Sequence, residues 1–241
     1  MINTGNNTKK LIDMKNVIKA ISAILLVLVF VASCTKTDEP NNGGNNNSGN
    51  GGGNNGGGNS GTTTYEYVDL GLPSGALWAT CNVGANKPEE KGNLFAWGET
   101  SPKDTYHWSN YKYCNGSKDQ LTKYCTDPSY GANGFADYIT ILALTDDAAR
   151  SNFGNYWLTP SKTEWYELRE NTTSSFVSQN GVPGYRFTAS NGKSLFLPVT
   201  DGYWSCNLYN MTSYAWYFDG EDLTGSARCL GLSVRPIRYK K

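Results

Sequence analysis

The sequence predicts an α+β fold, and three observations carry that expectation. One helix is unambiguous. Residues 157–168, W-L-T-P-S-K-T-E-W-Y-E-L, hold Ser161 and Glu164 at the S-x-x-E spacing of a capping box, where the hydroxyl accepts an orphan backbone N–H and the carboxylate reaches back. From Phe176 onward the apolar period changes from helical to that of strands, and Asn191-Gly192 stands as a turn between two alternating segments. Strands at both ends with two helices early to middle fit α+β, not alternating βαβ units.

Taken in order, residues 65–70 alternate with period two and read as a half-buried strand. Pro73-Ser74-Gly75 is a turn, and residues 76–81 form a second strand, so the domain opens with a hairpin. Residues 94–97 are a third short apolar run, ended by Gly98. No period emerges over residues 101–135, rich in Tyr, Asn and Lys, and this stretch reads as a long functional loop. Thr145 is expected to cap a short helix over residues 146–152, with Asp146 and Asp147 in its first turn and Gly154 at its end. In the second helix Trp165 and Leu168, three apart, share a face that must be buried. Residues 184–189 and 193–198 flank Asn191-Gly192, where a type I′ turn needs positive φ at both positions. Residues 202–206, 214–218 and 230–235 complete the strands.

Ahead of the domain lie an address and a tether. Lys15 and Lys19 precede an apolar run over residues 20–31, too short for the roughly 18–20 residues of a membrane span and suited to a signal-peptide core. Val31-Ala32-Ser33-Cys34 resembles a bacterial lipobox, which makes residues 1–33 a signal peptide and Cys34 the lipid attachment site. Either Met1 or Met14 can serve as the start. Residues 34–64 comprise the lipidated terminus and a tether whose residues 41–61 are Asn, Gly and Ser alone, a composition that cannot offset its ordering entropy. The charged residues after Cys34 are similar to surface-export signals of Bacteroidota lipoproteins, so the expected place is the outer membrane, lipid-anchored and facing outward. Residues 65–241 are one domain's worth of chain. The chain is formally neutral, and without the leader's Lys9, Lys10, Lys15, Lys19 and Asp13 it carries 17 basic against 20 acidic residues. No basic stripe remains except Arg235, Arg238, Lys240 and Lys241, so nucleic acid is not an expected partner.

Six blocks in order then carry a resemblance: V-D-L-G-L-P-S-G from Val68, W-A-T-C-N-V-G-A from Trp78, F-A-W-G-E-T-S-P from Phe95, D-D-A-A from Asp146, W-L-T-P-S-K-T-E-W from Trp157 and G-L-S-V-R-P-I from Gly231. Together they resemble the Fibrobacter succinogenes major paralogous domain, over essentially all of residues 65–239. That resemblance implies a C-type-lectin-like fold, a twisted antiparallel sheet with two helices and paired N- and C-terminal strands. It implies no defined activity.

The chemistry-bearing residues point to recognition. His107 is the only histidine and sits in the irregular stretch, which leaves a triad or a multi-histidine zinc site without partners. No phosphate-cradling glycine loop or dinucleotide fingerprint is present, and no cofactor is expected. Asp219, Glu221 and Asp222 gather three carboxylates as a weak calcium candidate beside the simpler reading of an acidic turn. Aromatic faces stack on sugars while Asn, Asp and Glu orient them; Tyr106, Trp108, Tyr111 and Tyr113 have that composition, as do Tyr203, Trp204 and Tyr209 with Asn207 and Asn210. Trp78, Trp97, Trp157, Trp165 and Trp216 fall in regular blocks and read as core. Without Cys34, five cysteines remain, and two pairs among five allow 15 arrangements. Cys114–Cys125 is the first choice, Cys206–Cys229 the second, and Cys81 the left-over thiol. The expected function is non-catalytic recognition of a glycan or a protein, with a structural or adhesive surface role as the alternative. An enzyme built on Asp146, Asp147, Asp219 and Glu221 stays open as a third class.

Overall fold

Helix α2 (Lys162–Asn171) begins where the capping box puts it. Ser161 Oγ accepts from the Thr163 N–H at 3.1 Å, and Glu164 accepts from the Ser161 N–H at 2.7 Å. Trp165 and Leu168 are both fully buried, as their shared face requires. The computed structural model describes residues 65–240, so the signal peptide, Cys34 and the tether lie outside the described residues. Among the described residues no helix is long and apolar enough to cross a membrane.

The shorter helix α1 (Ala148–Phe153) is capped differently from expectation. Asp147, not Thr145, is the N-cap, because its Oδ1 accepts from Ala149 N and from Arg150 N. The same carboxylate accepts from the Thr159 hydroxyl at 2.6 Å and the Thr159 N–H at 2.9 Å, so it ties α1 to the run that leads into α2. Thr145 falls in a preceding 3-10 turn, Leu144–Asp146. Gly154, at φ 99, ends the helix as the sequence indicates.

Among the described residues nine antiparallel-paired strands accompany the helices, giving a mixed α+β architecture. They make three three-stranded sheets, where the sequence suggested one twisted sheet. The first holds β1 (Tyr67–Asp69), β2 (Ala76–Ala79) and β9 (Ile237–Tyr239) in the order β1-β2-β9. The two ends of the described region therefore share a sheet, but the first and last strands do not pair: β9 pairs with β2, Trp78 opposite Ile237. The second holds β3 (Thr172–Gln179), β4 (Val182–Ala189) and β5 (Ser194–Pro198), the third β6 (Tyr203–Leu208), β7 (Tyr214–Phe218) and β8 (Leu223–Ala227). Residues 230–235, expected as a strand, make only single bridges, Phe95 with Leu232 and Tyr203 with Ser233.

Two core clusters fill the interior. One gathers Trp78, Trp165, Leu168, Phe187, Tyr203 and Phe218 between α2 and the sheets; the Trp165 ring lies 4.9 Å from Phe218 and 4.8 Å from Trp78. The other is built on Phe95, Trp97, Trp157 and Trp204, and takes Tyr111, Tyr113 and Tyr124 from the irregular stretch. Residues 101–135 are irregular, as expected, and mostly exposed, but Tyr111, Tyr113, Leu121, Tyr124 and Cys125 are buried in the core. Short 3-10 turns and the bridges Cys114–Leu121 and Leu121–Gly131 fold them inward. Gly131 permits that closure, since a Cβ there would meet the Phe135 carbonyl oxygen at 1.8 Å.

Candidate functional site

The aromatic candidates separate sharply by burial. Tyr111 is 3% exposed and Tyr113 6%, and Tyr203 and Trp204 only 2% and 1%, so no ligand reaches their faces. Three of the four spend their polar atoms internally: Tyr111 Oη donates to Trp97 O, Tyr203 Oη to Pro198 O, and Trp204 Nε1 to Phe95 O. Tyr106 is half-buried, with its hydroxyl donating to Leu94 O at 2.6 Å and its ring lying against Gly231. Trp108, also half-buried, packs edge-on to Tyr111. Six of the seven candidates thus build the core or its rim, and only Tyr209 faces a groove.

That groove has a volume of about 410 Å³ and is assembled from five segments. β6 ends in Asn207 and Leu208, and the turn into β7 supplies Tyr209 and Asn210. A register shift between Trp204 and Leu208 bulges β6, which lets Asn207 pair with Ile141 on a neighbouring extended strap. The strap is held by Leu208 N donating to Thr140 O at 2.7 Å and Leu142 N to Cys206 O at 2.9 Å. Thr126 joins from the irregular stretch through its N–H on the Thr212 hydroxyl. Lys162, the first residue of α2, and Trp216 in β7 complete the wall.

Two aromatic rings and two amides line the groove. The Tyr209 and Trp216 rings stand 4.6 Å apart at 68°, an aromatic corner with both side chains half-exposed. Trp216, read from sequence as core, is therefore a groove residue; only the β6–β7 register, which brings Leu208 opposite Ala215, reveals this. Asn207 Oδ1 accepts from Lys162 N at 2.8 Å and from Ser205 Oγ, which fixes the amide and leaves its Nδ2 an unspent donor among the described residues. Lys162 Nζ lies 5.5 Å from the Trp216 ring centroid, and among the described residues it is the only charged side chain in the lining, which includes no carboxylate.

The remaining candidates serve the fold. Asp219 Oδ1 accepts from Glu221 N and Asp222 N within the turn. Glu221 is bound by the Tyr185 hydroxyl and Asp222 by Arg169, so the three carboxylates serve separate partners and do not converge on a cation. Among the described residues no group of three acidic, His or Cys side chains could hold a metal. Asp146 takes Lys123 and the Tyr124 hydroxyl.

Cys114, Cys125, Cys206 and Cys229 are free thiols, so neither expected disulfide is formed. Cys81, expected as the left-over thiol, is not one of the free ones. Burial pushes the Cys206 thiol up to about 12 and Cys229 up to about 11, with Asp147 and Glu164 adding to the first, and a protonated thiol is a poor nucleophile. Sequence reasoning also missed two interior guanidiniums. Arg228, fully buried, donates to the carbonyls of Lys123, Tyr124 and Thr212, and Arg235, placed with the C-terminal basic residues, is buried against Asn82 and Ala79.

Compared with known proteins, the chain matches no family model, and no curated protein or solved structure shows significant similarity to it.

Proposed function

We propose that this chain is a lipid-anchored outer-membrane recognition protein without catalytic activity, and that its groove binds a saccharide. The observation that carries the reading is the half-exposed Tyr209–Trp216 corner flanked by the amides of Asn207 and Asn210. A pyranose offers an apolar face to such rings and hydroxyls to such amides, and a groove of this size buries a small ligand. With Lys162 as the only charge among the described residues of the wall, the groove suits a neutral or carboxylate-bearing sugar. The carboxylates an enzyme would recruit, Asp146, Asp147, Asp219 and Glu221, are each spent on a structural bond, which supports the non-catalytic reading. No cofactor enters it.

The six sequence blocks support membership of the Fibrobacter succinogenes major paralogous domain family, and with it a C-type-lectin-like fold. The meeting of the N-terminal hairpin with β9 and the two helices on antiparallel sheets are consistent with that fold. The lipobox ending in Cys34 supports the anchor and the outer-membrane location. A glycan-array screen of the purified chain and of Trp216→Ala tests the function: specific hits lost in the variant support it, and a blank array from folded protein removes it.

A second reading, protein recognition, has its own observation. The strap beside the groove exposes Tyr138 (66%), Ile141 (55%) and Leu144 (56%), apolar side chains suited to a protein partner or to a structural assembly. Crosslinking on intact cells that captures one defined partner through this strap favours it.

A further inference from the structure

Strand β3 is eight residues long, T-T-S-S-F-V-S-Q, and is an edge of its sheet in the order β3-β4-β5. Its register with β4 is unbroken from Thr172–Ala189 to Gln179–Val182. On β4, Pro183 O accepts from Val199 N and Ala189 N donates to Lys193 O, so its odd-numbered residues turn toward β5. The even-numbered ones therefore bond β3, through Thr173, Ser175, Val177 and Gln179. Ser174, Phe176 and Ser178 are left with N–H and C=O directed outward, and no backbone partner is made there among the described residues.

Exposed edges are ordinarily guarded by charge, proline, bulges, brevity or a cover. β3 has no charged residue, no proline and no register shift. The other edges differ: β1 and β9 are three residues each, β5 is five residues ending in Pro198, β6 is covered by the Ile141 strap, and β8 is five residues with Gly225 at its middle. Phe176, near the centre of β3, is 64% exposed, with Tyr185 against its ring at 5.2 Å.

We propose that β3 is a self-association surface, on which a second copy of this chain adds its own β3 antiparallel across a two-fold axis at Phe176. The pairing is isologous: Ser174 faces the second copy's Ser178, and Phe176 faces its counterpart, so every outward-facing group of one strand meets its complement. The sheets of two copies become one of six strands. An aromatic pair lies at the axis, and the strands carry no charge to repel each other there. This surface is separate from the groove and stands whether or not the groove binds sugar.

The test is sedimentation velocity on the full chain in mild detergent, from about 1 μM to 1 mM, with hydrogen exchange read at both ends of that range. Reversible dimerisation is expected, with protection of the Ser174, Phe176 and Ser178 amides rising with concentration. Phe176→Lys sets like charges across the axis, and Ser174→Pro deletes an outward N–H without touching the β4 ladder. Each should weaken self-association at least ~10-fold. Thr224→Lys on β8 should leave it unchanged. Near-UV circular dichroism of each variant establishes that the fold is intact. A wild-type chain monomeric throughout overturns the proposal, as does a dimer indifferent to both β3 variants or equally lost in Thr224→Lys. Protection of those amides only on adding a different protein also overturns it.

Discussion

Arg228 shows what a single buried cation can organise. Its Nη1 and Nη2 donate to three carbonyls from two segments, Lys123–Tyr124 and Thr212, its Nε to the Tyr111 hydroxyl, and its guanidinium lies 5.3 Å from the Trp97 and Tyr111 ring centroids. Arg228→Met leaves the Lys123 and Thr212 carbonyls without that donor at about 1–3 kcal/mol each, while the Tyr124 carbonyl keeps the Thr212 hydroxyl, so a destabilisation of at least ~2 kcal/mol is expected in urea unfolding. Burial brings Arg235 down to about 10, which keeps it charged at neutral pH. Asp146 behaves in the opposite sense to most buried acids. Burial would raise its carboxyl, but Lys123, Tyr124 and Tyr113 hold it below the ordinary 3.8. A depressed acid contributes stability above its unfolded pKa and loses it as pH falls through the folded one. Asp146→Asn should therefore flatten the acid limb of stability below about pH 4, measured as urea midpoints from pH 3 to 7. Neither arginine's role was legible in the sequence, because an Arg that serves distant carbonyls leaves no local pattern. The free cysteines were misread for a related reason: closeness in chain stood in for closeness in space.

Elements were legible where their determinants are local. The capping box of α2 lies within four residues, and Ser161→Ala should cost about 1 kcal/mol, seen as a lower thermal midpoint with the groove intact. Strand β7 runs over 214–218 as its alternation indicates. The hairpins were legible only in part. Asn191-Gly192 does turn β4 into β5, but Asn191 keeps negative φ and only Gly192, at φ 79, is left-handed. The type I′ turn with both positions positive is Asn180 at φ 50 and Gly181 at φ 84, joining β3 to β4. β3 escaped recognition because its Ser and Thr carry no apolar alternation. Asp147 displaced Thr145 as a cap because tertiary bonds to Thr159 add to its local ones.

At the scale of the molecule, aromatic residues are spent first on two cores and only then on a surface. Composition alone pointed to sugar-facing loops, yet the longest of them is folded into the interior through Tyr111, Tyr113 and Tyr124. The groove comes from segments far apart in sequence: Thr126, Thr140, Lys162, Asn207 and Trp216 meet only after the strap crosses β6 and β7 finds its register. Asn207, Tyr209 and Asn210 were visible beforehand as a local Asn-Tyr cluster. Lys162 and Trp216 were not, since their neighbours are set by tertiary pairing. The α+β class and the helix positions required less, because each follows from a local cap or period.

The central claim, a saccharide-binding groove at the Tyr209–Trp216 corner, is tested most directly by calorimetric titration. Neutral and carboxylate-bearing oligosaccharides would be titrated into the purified chain, Tyr209→Ala and Trp216→Ala, with near-UV circular dichroism to establish folding. The account predicts saturable one-site heat for the wild-type chain and at least ~10-fold weaker binding in each variant, as expected when a stacking ring is removed. Absence of heat from the folded wild-type chain, or binding unaltered in both variants, would contradict it.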